Sequence, residues 1–377
     1  MTARDRQQQT RLVGSPGTTT THHHSESGPL GHDSREYRSG VAATIFRPME
    51  APIVETSGAP EPLRENHCPL CGACGHALRL VLPDKRTGQE RAAAGWPLMR
   101  CNYCNLLFLA QRPPWSGSAE PANQCAEDLG DVQAVQAAGG ATPQVVVAFG
   151  AGDGRELEVW RAQYPQARLI GLDREPSCRD ALVARGLEAV SARMEDAATA
   201  CADLVGQCDV VLCVDALDEA DDPRAALQAA RTLLKTGGFL LVRGIDAGGA
   251  QERRFRAGAW HAYAAPMRAY YYNPFNLARL VGSEGFEKVS VDALPDARGW
   301  IRSWRTALAS QGADAGVLAW FREDQALLRW WYTRKDRRAA RQGGRTTRMR
   351  LVSCARADDQ RVEGNAFAPK AAPKPAR

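Results

Sequence analysis

VVVAFGAGDGRE, residues Val145–Glu156, is an apolar run that enters a glycine-punctuated turn and leaves it as a helix. LIGLDRE, Leu169–Glu175, is a second apolar strand and closes on Asp173. A strand, a glycine turn and a helix, followed about twenty residues later by an acidic strand end, describe a pocket for an adenosine-bearing cofactor. Glycines let the main chain approach a ligand, the helix start offers free N–H groups, and the carboxylate accepts from ribose hydroxyls. The spacing is Gly150-x-Gly152-x-Gly154, with Arg155 where a dinucleotide loop needs its third glycine or alanine. A pyrophosphate-binding loop is therefore disfavoured.

Further along, CDVVLCVD (Cys208–Asp215) is an apolar strand ending in a carboxylate. Asp222-Pro223 then opens a helix, with the aspartate as N-cap and proline at the first helical position. Ala226, Leu227, Ala230 and Leu234 follow at helical spacing, and Gly237-Gly238 breaks into the strand Phe239–Val242. Strand signals also occur at 168–172, 188–191, 288–292 and 348–354. Their alternation with helical patterns predicts an α/β, Rossmann-like, doubly wound and mostly parallel seven-stranded sheet.

Three ordered segments, the GxGxG turn, LKTGG before the fifth strand, and YYYNPFNLARLVGSEGFEKVSVD near residue 280, resemble class I S-adenosylmethionine-dependent methyltransferases over roughly 144–292. The resemblance implies that Gly150, Gly152 and Gly154 line the methionine and ribose of the cofactor. Asp173 would hold the ribose, Arg174 would lie beside the adenine, and Met194 and Glu195 would contact it. Asp215 would sit under the sulfonium. Several positions depart from the family pattern: Ala148 stands where an acidic residue is usual, Thr236 replaces a proline, and Glu219 and Arg268 replace histidines. No catalytic residue accompanies the fold. His261, the sole histidine of the domain, is the candidate general base, with surface or packing histidine as the alternative.

CPLC (Cys68–Cys71) and CNYC (Cys101–Cys104) form two CxxC knuckles. Two such knuckles close a tetrahedral structural zinc site, with Cys74, His67 and His76 as spare ligands. CPLCG and CNYCNLLF also resemble the zinc ribbon that precedes some sugar- and natural-product-modifying methyltransferases. The remaining cysteines lack such pairing.

Eleven cysteines without a signal-peptide pattern favour reduced thiols and a cytoplasmic setting. The formal net charge is +5, but residues 334–377 hold 13 Lys and Arg against 4 Asp and Glu, so the basic character is C-terminal. The chain divides into a disordered tail at 1–64, which includes His22–His24, and a zinc ribbon at 65–112. A linker at 113–140 and a catalytic domain at 141–357 follow. A helical insertion lies at about 293–347, and a disordered basic tail at 358–377. The insertion reads as one amphipathic helix over VLAWFREDQALLRWWYTRKDRRAARQ, packing on the domain or serving as a lid, a dimer contact or a membrane-surface helix.

The expected function is methyl transfer to a small-molecule acceptor of the sugar or secondary-metabolite type. The alternatives are an RNA methyltransferase that uses ribbon and tail, and, because of Ala148, a catalytically degenerate binding or scaffold protein.

Overall fold

The computed structural model describes residues 67–83, 95–111 and 129–356. The expected tails at 1–64 and 358–377, with His22–His24, lie outside the described residues. Two sheets carry the structure. The smaller has the order β1 (His76–Leu82), β2 (Trp96–Cys101), β3 (Leu107–Leu109) and β9 (Tyr270–Tyr271).

The larger sheet is built from β4 (Val145–Phe149), β5 (Arg168–Asp173), β6 (Glu188–Ser191), β7 (Cys208–Val214), β8 (Leu234–Ile245), β10 (Phe286–Leu294) and β11 (Arg348–Ala355). Its order is β10-β11-β8-β7-β4-β5-β6. The β6-β5-β4-β7-β8 run is parallel, and β11 inserts antiparallel between β8 and β10. This is a Rossmann-like α/β fold, seven-stranded and mostly parallel as expected. The central strands are continuous apolar runs because helices cover both faces; β7 is buried at all seven positions.

Helices α1 (Gly130–Ala137), α2 (Arg155–Gln163), α3 (Pro176–Ala184) and α4 (Pro223–Leu233) provide most of that cover. The Asp222 carboxylate caps α4 by accepting from the Arg224 and Ala225 N–H groups. Strand β8 starts five residues before the expected Phe239. Lys235–Gly238 joins it as a bulge: Leu234 pairs with Cys208 while Phe239 pairs with Val210, and Gly237 takes φ +78°.

Three expectations change. The stretch read as linker contains α1, whose Val132 and Val135 pack with Val146, Leu157 and Trp160 in the domain core. The ribbon is not a separate module, because β3 pairs with β9 of the main domain. The single amphipathic helix expected over residues 317–342 is two, and a further helix precedes it in the insertion. Beyond α5 (Ala250–Phe255) and α6 (Pro274–Ser283) come α7 (Ala297–Ser310), α8 (Ala315–Trp320) and α9 (Ala326–Arg341). The chain breaks at 321–325 because Phe321 turns onto Trp304 and Glu323 takes the Arg302 guanidinium at 2.6 and 2.8 Å. These tertiary contacts outweigh a continuous helical pattern. Among the described residues no helix is long and apolar enough to cross a membrane.

Candidate functional site

The β4–α2 turn carries Gly150, Gly152 and Gly154, all at positive φ. A Cβ on Gly150 would lie 2.6 Å from that of Ala216, and one on Gly154 would meet Leu182 and Leu187 at 2.7 and 2.8 Å. Both glycines are thus required by close packing as well as by backbone conformation. The Gly152 N–H donates to Asp173 Oδ2 at 2.9 Å, and the Glu175 N–H donates to Oδ1 at 2.9 Å. The carboxylate at the end of β5 therefore faces the glycine turn. Each of its oxygens accepts from one backbone N–H and has a further lone pair for another donor.

Around this turn the structure gathers the other expected residues. Arg174 reaches the Glu219 carbonyl at 3.1 Å and the Asp221 carboxylate at 3.4 Å. Met194 is buried. Glu195 Oε1 accepts from the Asp221 and Asp222 N–H groups at 2.7 and 2.9 Å. Glu195 thus holds the loop after β7 rather than standing free, and the glycine turn, β5 end, 193–195 turn and 215–222 loop meet at one edge of the sheet.

Asp215 closes β7 in a left-handed conformation (φ +54°), and its N–H donates to the Arg243 carbonyl at 2.8 Å. Its Oδ2 binds Arg348, while Oδ1 is buried without a hydrogen-bond partner. Burial pushes its carboxyl toward a higher pKa, but the Arg348 guanidinium outweighs this and holds it below the ordinary aspartate range. Asp215 therefore stays anionic. Three residues on, Asp218 is buried against Arg268; burial pushes its carboxyl up against the pull of that arginine.

A second buried ionic group underlies the first. Arg243, near the end of β8, donates to Asp131 Oδ2 at 2.5 Å and to Glu156 Oε2 at 2.8 Å. Arg350 reaches the other Asp131 oxygen at 3.0 Å. Glu156 Oε1 has no hydrogen-bond partner. Burial pushes Glu156 up to about 7, opposed by Arg243 and reinforced by Asp131. Arg243, Asp131, Arg348 and Asp218 were not singled out in the sequence. An arginine at a strand end gives no signal until the fold supplies the facing carboxylates.

His261 packs against α7. Its backbone N–H donates to Ser303 Oγ at 3.0 Å, its Nδ1 lies 3.1 Å from the same oxygen, and its Nε2 is 3.9 Å from Asp296 Oδ2. Burial pushes the imidazole down to about 4, partly offset by Asp296, so it is neutral at physiological pH. His261→Ala should leave the shape of the pH–rate profile between pH 5.5 and 8 unchanged; loss of a titration in that window would restore it as a base.

The four knuckle cysteines converge. Cys68, Cys71, Cys101 and Cys104 place their sulfurs within 4.8 Å of one another, with Cys68–Cys104 and Cys71–Cys101 each at 3.6 Å. A tetrahedron of Zn–S bonds of about 2.3 Å requires sulfurs about 3.8 Å apart. The knuckles share one turn: the N–H after the second cysteine, Gly72 or Asn105, donates to the carbonyl of the first at 2.8 or 3.0 Å. Both residues have positive φ. His67 and Cys74 are exposed, and His76 stacks edgewise on Phe108, so the spare ligands stand outside the four-sulfur set.

Residues 125–291 match the family of the methyltransferase domain. No curated protein matches the chain in sequence. Among solved structures the chain is similar to the [4+2]-cyclase SpnF, with 15% identity over 65% of this chain and 87% of that one and a TM-score of 0.41. It is also similar to a SAM-dependent methyltransferase from Archaeoglobus fulgidus (12% identity, 60% and 93% covered, TM-score 0.40). A third is the 1,6-didemethyltoxoflavin-N1-methyltransferase of Burkholderia thailandensis (12%, 68% and 98%, TM-score 0.38). The fold assignment rests on strand order and on the family match.

Proposed function

We propose that this enzyme, whose residues 125–291 are a methyltransferase domain of the S-adenosylmethionine-dependent class, transfers a methyl group to a small-molecule acceptor of the sugar or secondary-metabolite type in the cytoplasm. The observation that carries the cofactor site is the Asp173 carboxylate facing the Gly152 N–H across the glycine turn. When bound, the cofactor supplies a methyl group activated on a sulfonium. The residues present fit it. Asp173 has lone pairs for the ribose hydroxyls, and Arg174 and Met194 border the adenine end. The buried, anionic Asp215, with its unpartnered Oδ1, complements a positive centre. Ala148 removes the acidic group usual in the β4 strand. Glu156 Oε1 is the buried acceptor that takes over the ammonium of the cofactor, whereas Asp153 is committed to Arg155 at 2.8 Å near the surface.

In-line displacement on an activated donor is accelerated largely by positioning, worth about 7–11 kcal/mol in favourable cases. Asp215 and Glu156 orient charge, and the 269–272 segment walls the acceptor side. Besides the β3–β9 pairing, three backbone bonds hold that wall: Leu109 N–H to Ala269 O, Ala269 N–H to Asp218 O, and Ala247 N–H to Tyr272 O. Support for a small acceptor comes from the ribbon. Its Met99, Leu106 and Phe108 are buried in a core shared with Leu217, Leu227 and Tyr272, and Arg224 of α4 binds the Leu70 carbonyl at 2.7 Å. Those apolar side chains are committed to the protein rather than presented to a nucleic acid.

The test incubates the enzyme and tritiated-methyl cofactor with cell extract separated into small-molecule, RNA and protein pools. Label should enter the small-molecule pool. Label confined to RNA would transfer the assignment to the RNA reading, and no label with no cofactor binding would leave the scaffold reading.

The four cysteines are proposed to hold structural Zn2+. Purified protein should contain about one zinc per chain, and Cys101→Ser, which removes a fully buried ligand, should lose it. Structural zinc contributes about 10–16 kcal/mol of apparent binding energy in small metal-dependent domains. A wild-type preparation free of zinc with an unchanged melting temperature would contradict this role.

A further inference from the structure

We propose that α8 and the outer face of α9 form a docking surface for an anionic phospholipid membrane, which the chain contacts from one side without crossing. The surface is independent of the methyl-transfer reading.

Helix α8, AGVLAW, has no buried residue and no charge. Its Trp320 is 66% exposed. Helix α9 is anchored on one face only, by Tyr332 and Asp336 one turn apart. Tyr332 stacks on Trp300 of α7 at 5.2 Å, and Asp336 accepts from the Trp300 indole N–H at 3.1 Å and from the Asp296 N–H at 3.0 Å. The opposite face leaves Leu327, Trp330 and Trp331 exposed, at 68%, 59% and 46%. Indoles in water at this density are costly, since an apolar side chain gains about 1.5–3 kcal/mol on full burial.

Charge selects the occupant. Leu327, Trp331, Arg334, Arg338 and Arg341 fall at i, i+4, i+7, i+11 and i+14 of α9, one stripe that is apolar at its start and cationic at its end. Arg329, Arg334, Arg337, Arg338 and Arg341 form no ion pair among the described residues. Arg334 lies over the Trp330 ring at 5.8 Å, and Lys335 lies 5.5 Å from that of Trp331. The nearby acids are already engaged: Glu323 with Arg302, Asp324 with Arg322, and Asp336 in the interior. A second copy meeting this face would bring like charges together. A strand of RNA would satisfy the cations but not the aliphatic Val317 and Leu327. A bilayer with acidic headgroups satisfies both, with indoles at the interface and cations at the phosphates.

The test uses the full chain with vesicles of phosphatidylcholine alone and of phosphatidylcholine with phosphatidylserine in equal parts. Co-flotation should occur with the acidic vesicles, with a blue shift of tryptophan emission, and should weaken as salt screens the headgroups. Trp330→Ser with Trp331→Ser, and separately Arg334→Glu with Arg338→Glu, should each lower the partition roughly tenfold or more while leaving the circular dichroism unchanged. All four sites are exposed, so folding is not at stake. Failure to float with acidic vesicles overturns the proposal. So does a dimer in light scattering that the tryptophan variant dissolves, or binding to homopolymeric RNA without flotation.

Discussion

Arg243→Ala is expected to destabilise the protein by about 3–5 kcal/mol, as removal of one partner from a buried ionic group does. Arg243 sits between Asp131 of α1 and Glu156 of α2, and all three side chains are at most 4% exposed. Without it Glu156 loses the one cation that hydrogen-bonds to it among the described residues, while Asp131 keeps Arg350 at 3.0 Å. Urea unfolding with an unchanged slope and a lowered midpoint is the expected result; an unchanged midpoint would show that the group is not closed as described. The same site has a pH signature. Burial holds Glu156 near 7 in the fold, against an ordinary value of 4.5. Between those values the folded chain keeps a proton that the unfolded chain has released. This contribution to stability is therefore greatest at acid pH and is lost as pH rises through about 7. Glu156→Gln should flatten that slope, and a slope that persists unchanged would assign it to another group.

Asp173→Ala should weaken cofactor binding by about a hundredfold. A hydrogen bond to a charged acceptor is worth about 1.5–3 kcal/mol, or roughly ten- to a hundredfold in affinity, and ribose presents two hydroxyls. The carboxylate also holds the Gly152 and Glu175 N–H groups, so the turn loosens as well. Asp173→Asn retains one acceptor oxygen and should lose less. Titration calorimetry with S-adenosylhomocysteine measures both, and equal affinity in the alanine variant and the wild type would remove Asp173 from the site.

Much of this was legible in the chain because periodicity and glycine chemistry are local. β4, β5, β6 and β7 announce themselves as apolar runs, Asp222-Pro223 marks the start of α4, and the paired CxxC knuckles bring four sulfurs together as their spacing implies. What escaped the sequence depends on partners distant in the chain. Asp131 looks like a linker residue until it meets Arg243, 112 positions away, and Arg350, 219 positions away. Glu195 is legible as a motif residue, but the bonds from the Asp221 and Asp222 amides to its Oε1 are not. The pairing of β3 with β9 joins a ribbon to a domain across more than 160 residues, and no composition shift signals such a contact. His261 illustrates the converse: a lone histidine stands out in the sequence, but its contacts with Ser303 and Asp296 across the fold do not.

The central claim is that the turn at Gly150–Gly154, with Asp173 and Asp215, holds S-adenosylmethionine. Calorimetric titration of the wild-type chain with S-adenosylhomocysteine tests it most directly. The account predicts saturable binding of one ligand per chain with an affinity in the micromolar range, about 8 kcal/mol. Absence of binding at millimolar ligand, with the protein folded, would contradict it.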